Sequence, residues 1–223
     1  MQRLFGEVDG MYPFKDGQSF ARNRWYIAAF SKEISRQPIE RTILGTPVVF
    51  YRTEAGAPVA MYGLCPHRYY PLALGKLEGD AIVCGYHGFT FAADGKCIRI
   101  PAQDAGAGFC QPVYRLVEQG PLVWVWMGDA ELCDPDLIPP YADFGLDQPG
   151  WTHSAETYLH MHGRAQLLVD NLMDLTHLPY IHHHIPGGEI FLNQPMKAEE
   201  RPRSYRLRRF SRSPWTGFYD LLF

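Results

Sequence analysis

Two short clusters, Cys65-Pro66-His67 and Cys84-Gly85-Tyr86-His87-Gly88, constrain this chain more than any other feature. Each offers one thiolate and one imidazole, the mixture that lets two irons share two bridging sulfides, with both Cys on one iron and both His on the other. Replacing two anionic thiolates with neutral imidazoles lowers the negative charge at one iron and raises the reduction potential above that of an all-Cys cluster. The fold therefore has to present two loops that clamp one cluster from both sides. Pro66 stiffens the first loop, while Gly85 and Gly88 allow backbone N–H groups to approach the sulfides and tune the potential.

A structural zinc site uses the same residue types, but its usual Cys2His2 form keeps the two Cys together and the two His together, whereas each cluster here mixes them. Cys97, Cys110 and Cys133 remain, an odd number without framework spacing, and are read as free buried thiols of a reducing compartment.

At 223 residues and 46% hydrophobic content the chain can bury a core, and a net charge of −3 gives no electrostatic case for nucleic acid or an anionic membrane. Six Arg between Arg201 and Arg212 form the one basic concentration. Interleaved with Tyr205, Leu207 and Phe210, they read as a strand with a solvated face rather than a nucleic-acid patch, since no matching basic surface accompanies them. Met1 to Phe20 lacks the apolar run of a signal peptide, and no stretch reaches the roughly 18 apolar residues of a membrane span. A cytoplasmic protein is expected. No Gly-rich phosphate loop or dinucleotide fingerprint is evident, so NAD or ATP binding by the chain itself is not expected.

From Trp25 to about Met127 the chain reads as short strands and turns. Thr46–Tyr51 and Pro58–Tyr62 flank Glu54-Ala55-Gly56 as a hairpin that delivers the first cluster loop. Asp94-Gly95 marks a second hairpin, Phe89–Phe91 with Cys97–Ile100, directly after the second loop, and Val123–Trp126 is a further strand. The Pro-rich stretch Cys133–Gly150 reads as a linker. The expected domains are 1–140, with its core at about 25–128, and 150–223. Beyond the linker, Trp151–His162 reads as a strand that points His160 and His162 to one face. Ala165 to about His177 reads as a helix with Leu167, Leu168, Leu172 and Leu175 in its apolar stripe, stopped by Pro179.

That helix leads into a second informative segment, Asp170-Asn171-Leu172-Met173-Asp174-Leu175-Thr176-His177-Leu178-Pro179-Tyr180-Ile181-His182. His177 and His182, brought together at the helix end, supply two thirds of a facial triad for non-haem Fe(II) and lack its carboxylate. By itself the spacing also suits a helix cap or a surface His. Behind an electron-donating cluster the pairing gains meaning, because cleaving O2 at Fe(II) needs an outside supply of electrons.

The C-x-H, sixteen residues, C-x-x-H signature followed by the Asp170–His182 segment resembles the oxygenase component (α subunit) of Rieske non-haem iron oxygenases, closest to the branch of vanillate O-demethylase and dicamba monooxygenase. The resemblance implies an α+β chain: an N-terminal antiparallel β Rieske domain, then part of a helix-grip (START-like) catalytic domain, assembled as a head-to-tail homotrimer. It implies that Cys65, His67, Cys84 and His87 ligate a 2Fe-2S cluster, and that His177 and His182 hold a mononuclear Fe(II). Asp174 would bridge across a subunit boundary from His177 to the neighbour's His87, and Asn171 would lie near the iron or the substrate. Family spacing selects His182 over His183 and His184. Asp170 is expected to be solvated or capping.

The partners implied are a reductase drawing on NAD(P)H, with or without a ferredoxin, a small aromatic substrate and O2. The family's third iron ligand is an Asp from a later part of the catalytic domain; Asp220 sits too early to match, and Glu189, Glu199 and Glu200 lack motif context. The chain thus reads as C-terminally truncated. Two functions follow: an aromatic ring-hydroxylating or O-demethylating terminal oxygenase, or a catalytically inactive Rieske electron-transfer protein.

Overall fold

Four neighbouring residues of one strand, Val48, Val49, Phe50 and Tyr51, are fully buried, so that strand must be covered on both faces. The computed structural model describes residues 20–103, 108–144, 149–150, 159–163, 165–184, 189–201 and 204–210. Most of the expected strand from Trp151, together with Arg203, Arg212 and Asp220, lies outside the described residues.

The chain divides into two compact units, 1–156 and 157–223. Among the described residues, the first unit is antiparallel β structure in three sheets. β1 (Arg24–Phe30), β9 (Leu116–Gln119) and β10 (Leu122–Met127) form one sheet in the order β1-β10-β9. β2 (Ile39–Ile43), β3 (Thr46–Arg52) and β4 (Pro58–Tyr62) form the second. β5 (Lys76–Glu78), β6 (Ala81–Val83), β7 (Thr90–Phe91) and β8 (Cys97–Arg99) form the third. Both expected hairpins are present, β3 with β4 and β7 with β8.

Alternation along β3 and β4 sorts side chains between two cores. Val48, Phe50 and Ala60 face a core shared with Val123, Val125 and Met127 of β10. Val49, Tyr51, Val59 and Met61 face another that contains Cys65, Cys84, Ile82 and Phe91. Cys65 and Cys84 are thus rooted in packed apolar structure, where each buried Val or Phe contributes roughly 1.5–3 kcal/mol. Arg52 ties the layers together: Nε donates to Ile34 O (2.8 Å), Nη1 to Gly56 O (2.7 Å) and Nη2 to Glu118 Oε1 (2.6 Å).

Cys133, Leu137 and Ile138 of the stretch read as a linker pack onto the rest of the first unit; against the expected burial of all three spare thiols, Cys97 is buried, Cys133 half-buried and Cys110 exposed. Ile138 is buried against Trp25, Trp124 and Trp126, and Trp25 Nε1 donates to Asp134 O at 2.7 Å. Short 3-10 turns follow at Pro135–Leu137, with Pro135 in its first turn, and at Tyr141–Phe144.

In the second unit the expected single helix is broken. α1 covers Ala165–Met173; Asp174 leaves helical geometry (φ −106°, ψ 94°) and caps a 3-10 turn, Leu175–His177, that runs into α2 (Leu178–Ile181). The Asp174 carboxylate accepts from Thr176 N (2.9 Å), the satisfied orphan donor that favours Asp at a cap. Pro179 does not stop the helix. It sits in the first turn of α2, where its missing N–H costs nothing. His160 and His162 lie in irregular backbone rather than on a strand, with ring centroids 4.9 Å apart. α3 (Ile190–Asn193) precedes a hairpin of β11 (Met196–Arg201) and β12 (Ser204–Arg209), which contains part of the Arg-rich run.

Candidate metal centre

The two cluster loops share one backbone frame. After β4, the Cys65 N–H donates to Tyr70 O (2.9 Å) and the Tyr69 N–H to Cys65 O (2.8 Å). After β6, the Cys84 N–H donates to Phe89 O (2.8 Å) and the Gly88 N–H to Cys84 O (3.0 Å). In each loop the residue four beyond the Cys has left-handed backbone, φ 53° at Tyr69 and 72° at Gly88. The imidazoles differ in place: His67 is two residues after its Cys, His87 three after its own.

This frame brings together all four residues of the two motifs. Cys65 and Cys84 are buried side by side with their thiols in hydrogen-bonding contact, and the backbone N–H groups of His67 and Arg68 point at the Cys65 sulfur. Burial, above all, pushes the Cys65 thiol up, and nearby Cys84 adds to the rise. The rings of His67 and His87 meet edge to face at 4.5 Å. Phe89 stacks on His67 at 4.7 Å and 13°, which fixes the plane of that ring. Desolvation, then the charges of His67 and Arg68, hold the His87 imidazole below its usual range and favour its neutral form.

One atom is left over: His67 Nδ1 is buried with no hydrogen-bond partner among the described residues. A buried imidazole nitrogen without a partner, on a ring packed against a second imidazole, together with two paired thiols, is a donor set for a bound metal group. Among the described residues, no three His, Cys, Asp or Glu side chains converge as a one-ion site would have them. A diiron cluster asks for pairs instead, two protein ligands to each iron. The residues fit that group.

Three further residues shape the site without belonging to either motif. Phe89 stacks on a candidate ligand, Tyr70 lies against Gly85, where an added Cβ would come within 3.2 Å of its ring, and Gln111 donates to the carbonyls of Tyr62 and Leu64. The aromatic residues shortly after each motif, Tyr70 and Phe89, were the available sign. Beside the second loop runs an open groove of about 520 Å³ bordered by Leu74, Lys76, Glu78, Cys84 and Arg99. Glu78 bridges both cations, to Lys76 at 2.9 Å and to Arg99 at 2.8 Å.

In the second unit the rings of His177 and His182 stand 5.5 Å apart. His177 Nδ1 contacts the Asp174 carbonyl oxygen, which fixes the tautomer and leaves Nε2 as the lone-pair donor. The His183 ring turns back to Tyr180 O at 3.3 Å, and the His184 ring lies 6.0 Å from that of His182. The pair fits two positions of a facial triad, and no third His, Cys, Asp or Glu joins it among the described residues. The Asp174 carboxylate holds Thr176, whose hydrogen bonds keep it below the usual carboxylate range. Asn171 is exposed on α1, and Asp170 accepts from Gln166 Nε2 at 2.7 Å on the solvent side.

Residues 24–119 match the family model of the Rieske [2Fe-2S] domain, and residues 161–222 that of the vanillate O-demethylase oxygenase C-terminal domain. The chain is 42% identical over 165 residues to the toluene-4-sulfonate monooxygenase system iron-sulfur subunit of Comamonas testosteroni, covering 73% of this chain and 47% of that one. It is 40% identical over 166 residues to the dicamba O-demethylase oxygenase component of Stenotrophomonas maltophilia, covering 74% and 48%. The crystal structure of dicamba monooxygenase bound to dicamba aligns with a TM-score of 0.76 at 34% identity, over 84% of this chain and 56% of that one. The chain spans about half the length of the curated relatives it matches.

Proposed function

Because this chain belongs to the Rieske-domain oxygenase components related to the toluene-4-sulfonate, dicamba and vanillate oxygenases, we propose that its first unit passes single electrons through a 2Fe-2S cluster held by Cys65, His67, Cys84 and His87. The observation that carries this reading is one loop frame used twice, which faces two buried thiols and two imidazoles with one nitrogen unpartnered. When bound, the cluster supplies a one-electron centre of raised potential. The chain does the rest. Cys65 and Cys84 give up their protons on binding and keep water from the sulfur side by their burial. His67 is held in plane by Phe89, while exposed His87 offers an imidazole edge for electron exit or entry. The charged groove beside Cys84 gives a reductase or ferredoxin a surface to approach.

Reconstitution under anaerobic conditions followed by a one-electron titration tests the reading. We expect one electron per chain in the wild type and none in Cys84→Ser; redox behaviour unchanged by Cys84→Ser contradicts it.

A second reading extends the first to catalysis, favoured by the approach of His177 to His182. The chain would then act as a terminal oxygenase on a small aromatic compound, hydroxylating the ring or removing a methyl group as formaldehyde, with electrons from NAD(P)H through a reductase. His177 and His182 would hold Fe(II), which supplies O2 activation when bound. Asn171 would line the substrate side, and Asp174 would reach a neighbouring subunit's His87 in a homotrimer of helix-grip domains, with the domain boundary between 140 and 150. Two irons per chain support the electron-transfer reading alone; three, with formaldehyde or hydroxylated product on adding reductase and an aromatic acid, support both.

A further inference from the structure

Gln111 is one of only two polar side chains buried among the described residues of the first unit, at 2% exposure, and both protons of its amide are committed. Nε2 donates to Tyr62 O at 2.6 Å and to Leu64 O at 2.8 Å. Those carbonyls belong to the end of β4 and to the residue directly before Cys65. The backbone of Gln111 serves the other loop: its N–H donates to Gly95 O at 2.7 Å, in the tight turn of the β7–β8 hairpin that follows Phe89. That approach is close enough that a Cβ on Gly95, where φ is 85°, would lie 2.1 Å from Gln111 O. Flanking contacts keep the same segment between the two hairpins, with Tyr62 N–H donating to Pro112 O (2.8 Å) on one side and Lys96 bridging Cys110 on the other.

We propose that Gln111 is a positioning residue that spans from the strand entering the first cluster loop to the hairpin leaving the second, and so sets the geometry of both loops around the cluster. The inference rests on the reading that Cys65, His67, Cys84 and His87 hold that cluster. The physical reason is specific to an amide. Two carbonyl oxygens converge on one point, and only a group with two N–H donors on one atom satisfies both there. An apolar side chain of similar size leaves two buried acceptors unpaired, and the Tyr62–Leu64 strand must shift to find water. Cys65 moves with it. The N–H groups of His67 and Arg68 that point at its sulfur then lengthen their contacts, and weaker hydrogen bonds to sulfur disfavour the reduced, more negative cluster.

The test is the midpoint potential and EPR spectrum of the reconstituted wild type and of Gln111→Leu, with Val123→Ala as a control. Val123 is fully buried in the separate core of β10, so its variant loses stability without touching either loop. The expected result is a lower potential and broadened EPR lines in Gln111→Leu, with both unchanged in Val123→Ala. If Gln111→Leu fails to accumulate, Gln111→Asn keeps the amide one methylene short and is expected to shift the potential the same way by less. A lowered melting temperature with wild-type potential and EPR lines, in whichever Gln111 variant folds, overturns the proposal. A wild type that takes up no cluster overturns instead the ligand reading beneath it.

Discussion

If the two cluster loops are one backbone form used twice, a side chain added at Gly88 and one removed at Tyr69 should act in opposite directions. Both positions have left-handed backbone, φ 72° and 53°. For Gly88→Ala, the left-handed conformation costs a non-glycine residue about 1–2 kcal/mol. The smaller freedom of Ala in the unfolded chain offsets about 0.4–1 kcal/mol of that. The new Cβ would lie 3.0 Å from Pro101 Cγ, a contact that a small movement of the ring relieves. The net loss is about 1 kcal/mol, or about 2–4 °C in Tm for a chain of this size. For Tyr69→Gly the same quantities enter with reversed sign, and at 69% exposure Tyr69 has little burial to lose. A change between zero and a gain of about 1 kcal/mol follows. Thermal unfolding of the cluster-loaded protein, followed by circular dichroism, measures both. A neutral Gly88→Ala together with a Tyr69→Gly that destabilises by more than about 1 kcal/mol would refute the shared-frame reasoning.

Trp25→Phe removes the bond to Asp134 O and is expected to cost about 1 kcal/mol and to speed proteolytic cleavage between 133 and 150; unchanged cleavage counts against the packing described for that stretch. Glu118 is held below its ordinary value of 4.5 chiefly by its hydrogen bond to Arg52, so its contribution to stability is present above about pH 4.5 and is lost as pH falls through the lower folded value. Urea titrations should therefore show Glu118→Gln less stable than wild type at pH 7, with the gap closing in acid; a gap that widens in acid would show the sign to be wrong. Asp174→Ala removes the cap on Thr176 and should cost about 0.5–2 kcal/mol locally, seen as faster amide exchange over 175–182 with little change in β10. Equal effects in both regions would mean that the cap does not act locally.

The four candidate ligands were legible because they are marked by residue identity and spacing: Cys65, His67, Cys84 and His87 need no contact map to be singled out. The hairpins were legible for a related reason, since Val48–Tyr51 and Asp94-Gly95 carry their signals locally. What escaped depends on distant partners. Nothing in Tyr69 announces a left-handed backbone, and a Pro-rich stretch looks like a linker until Trp25, 109 residues away, is found bonded to it. Gln111 reads as an ordinary polar residue because the two carbonyls it serves are 47 and 49 positions earlier. The helix break was a local signal given the wrong weight. Asp174-Leu175-Thr176 is a capping pattern, but Pro179 drew the stop to itself, although proline is at home in a first helical turn.

The most direct test of the cluster assignment is iron and acid-labile sulfide analysis of the reconstituted chain, joined to a nitrogen-resolved EPR measurement of its reduced form. The account predicts at least two irons and two sulfides per chain, with two imidazole nitrogens coupled to the reduced cluster and one coupling lost in His67→Cys. A colourless protein without labile sulfide, or a cluster with no nitrogen coupling, would contradict it.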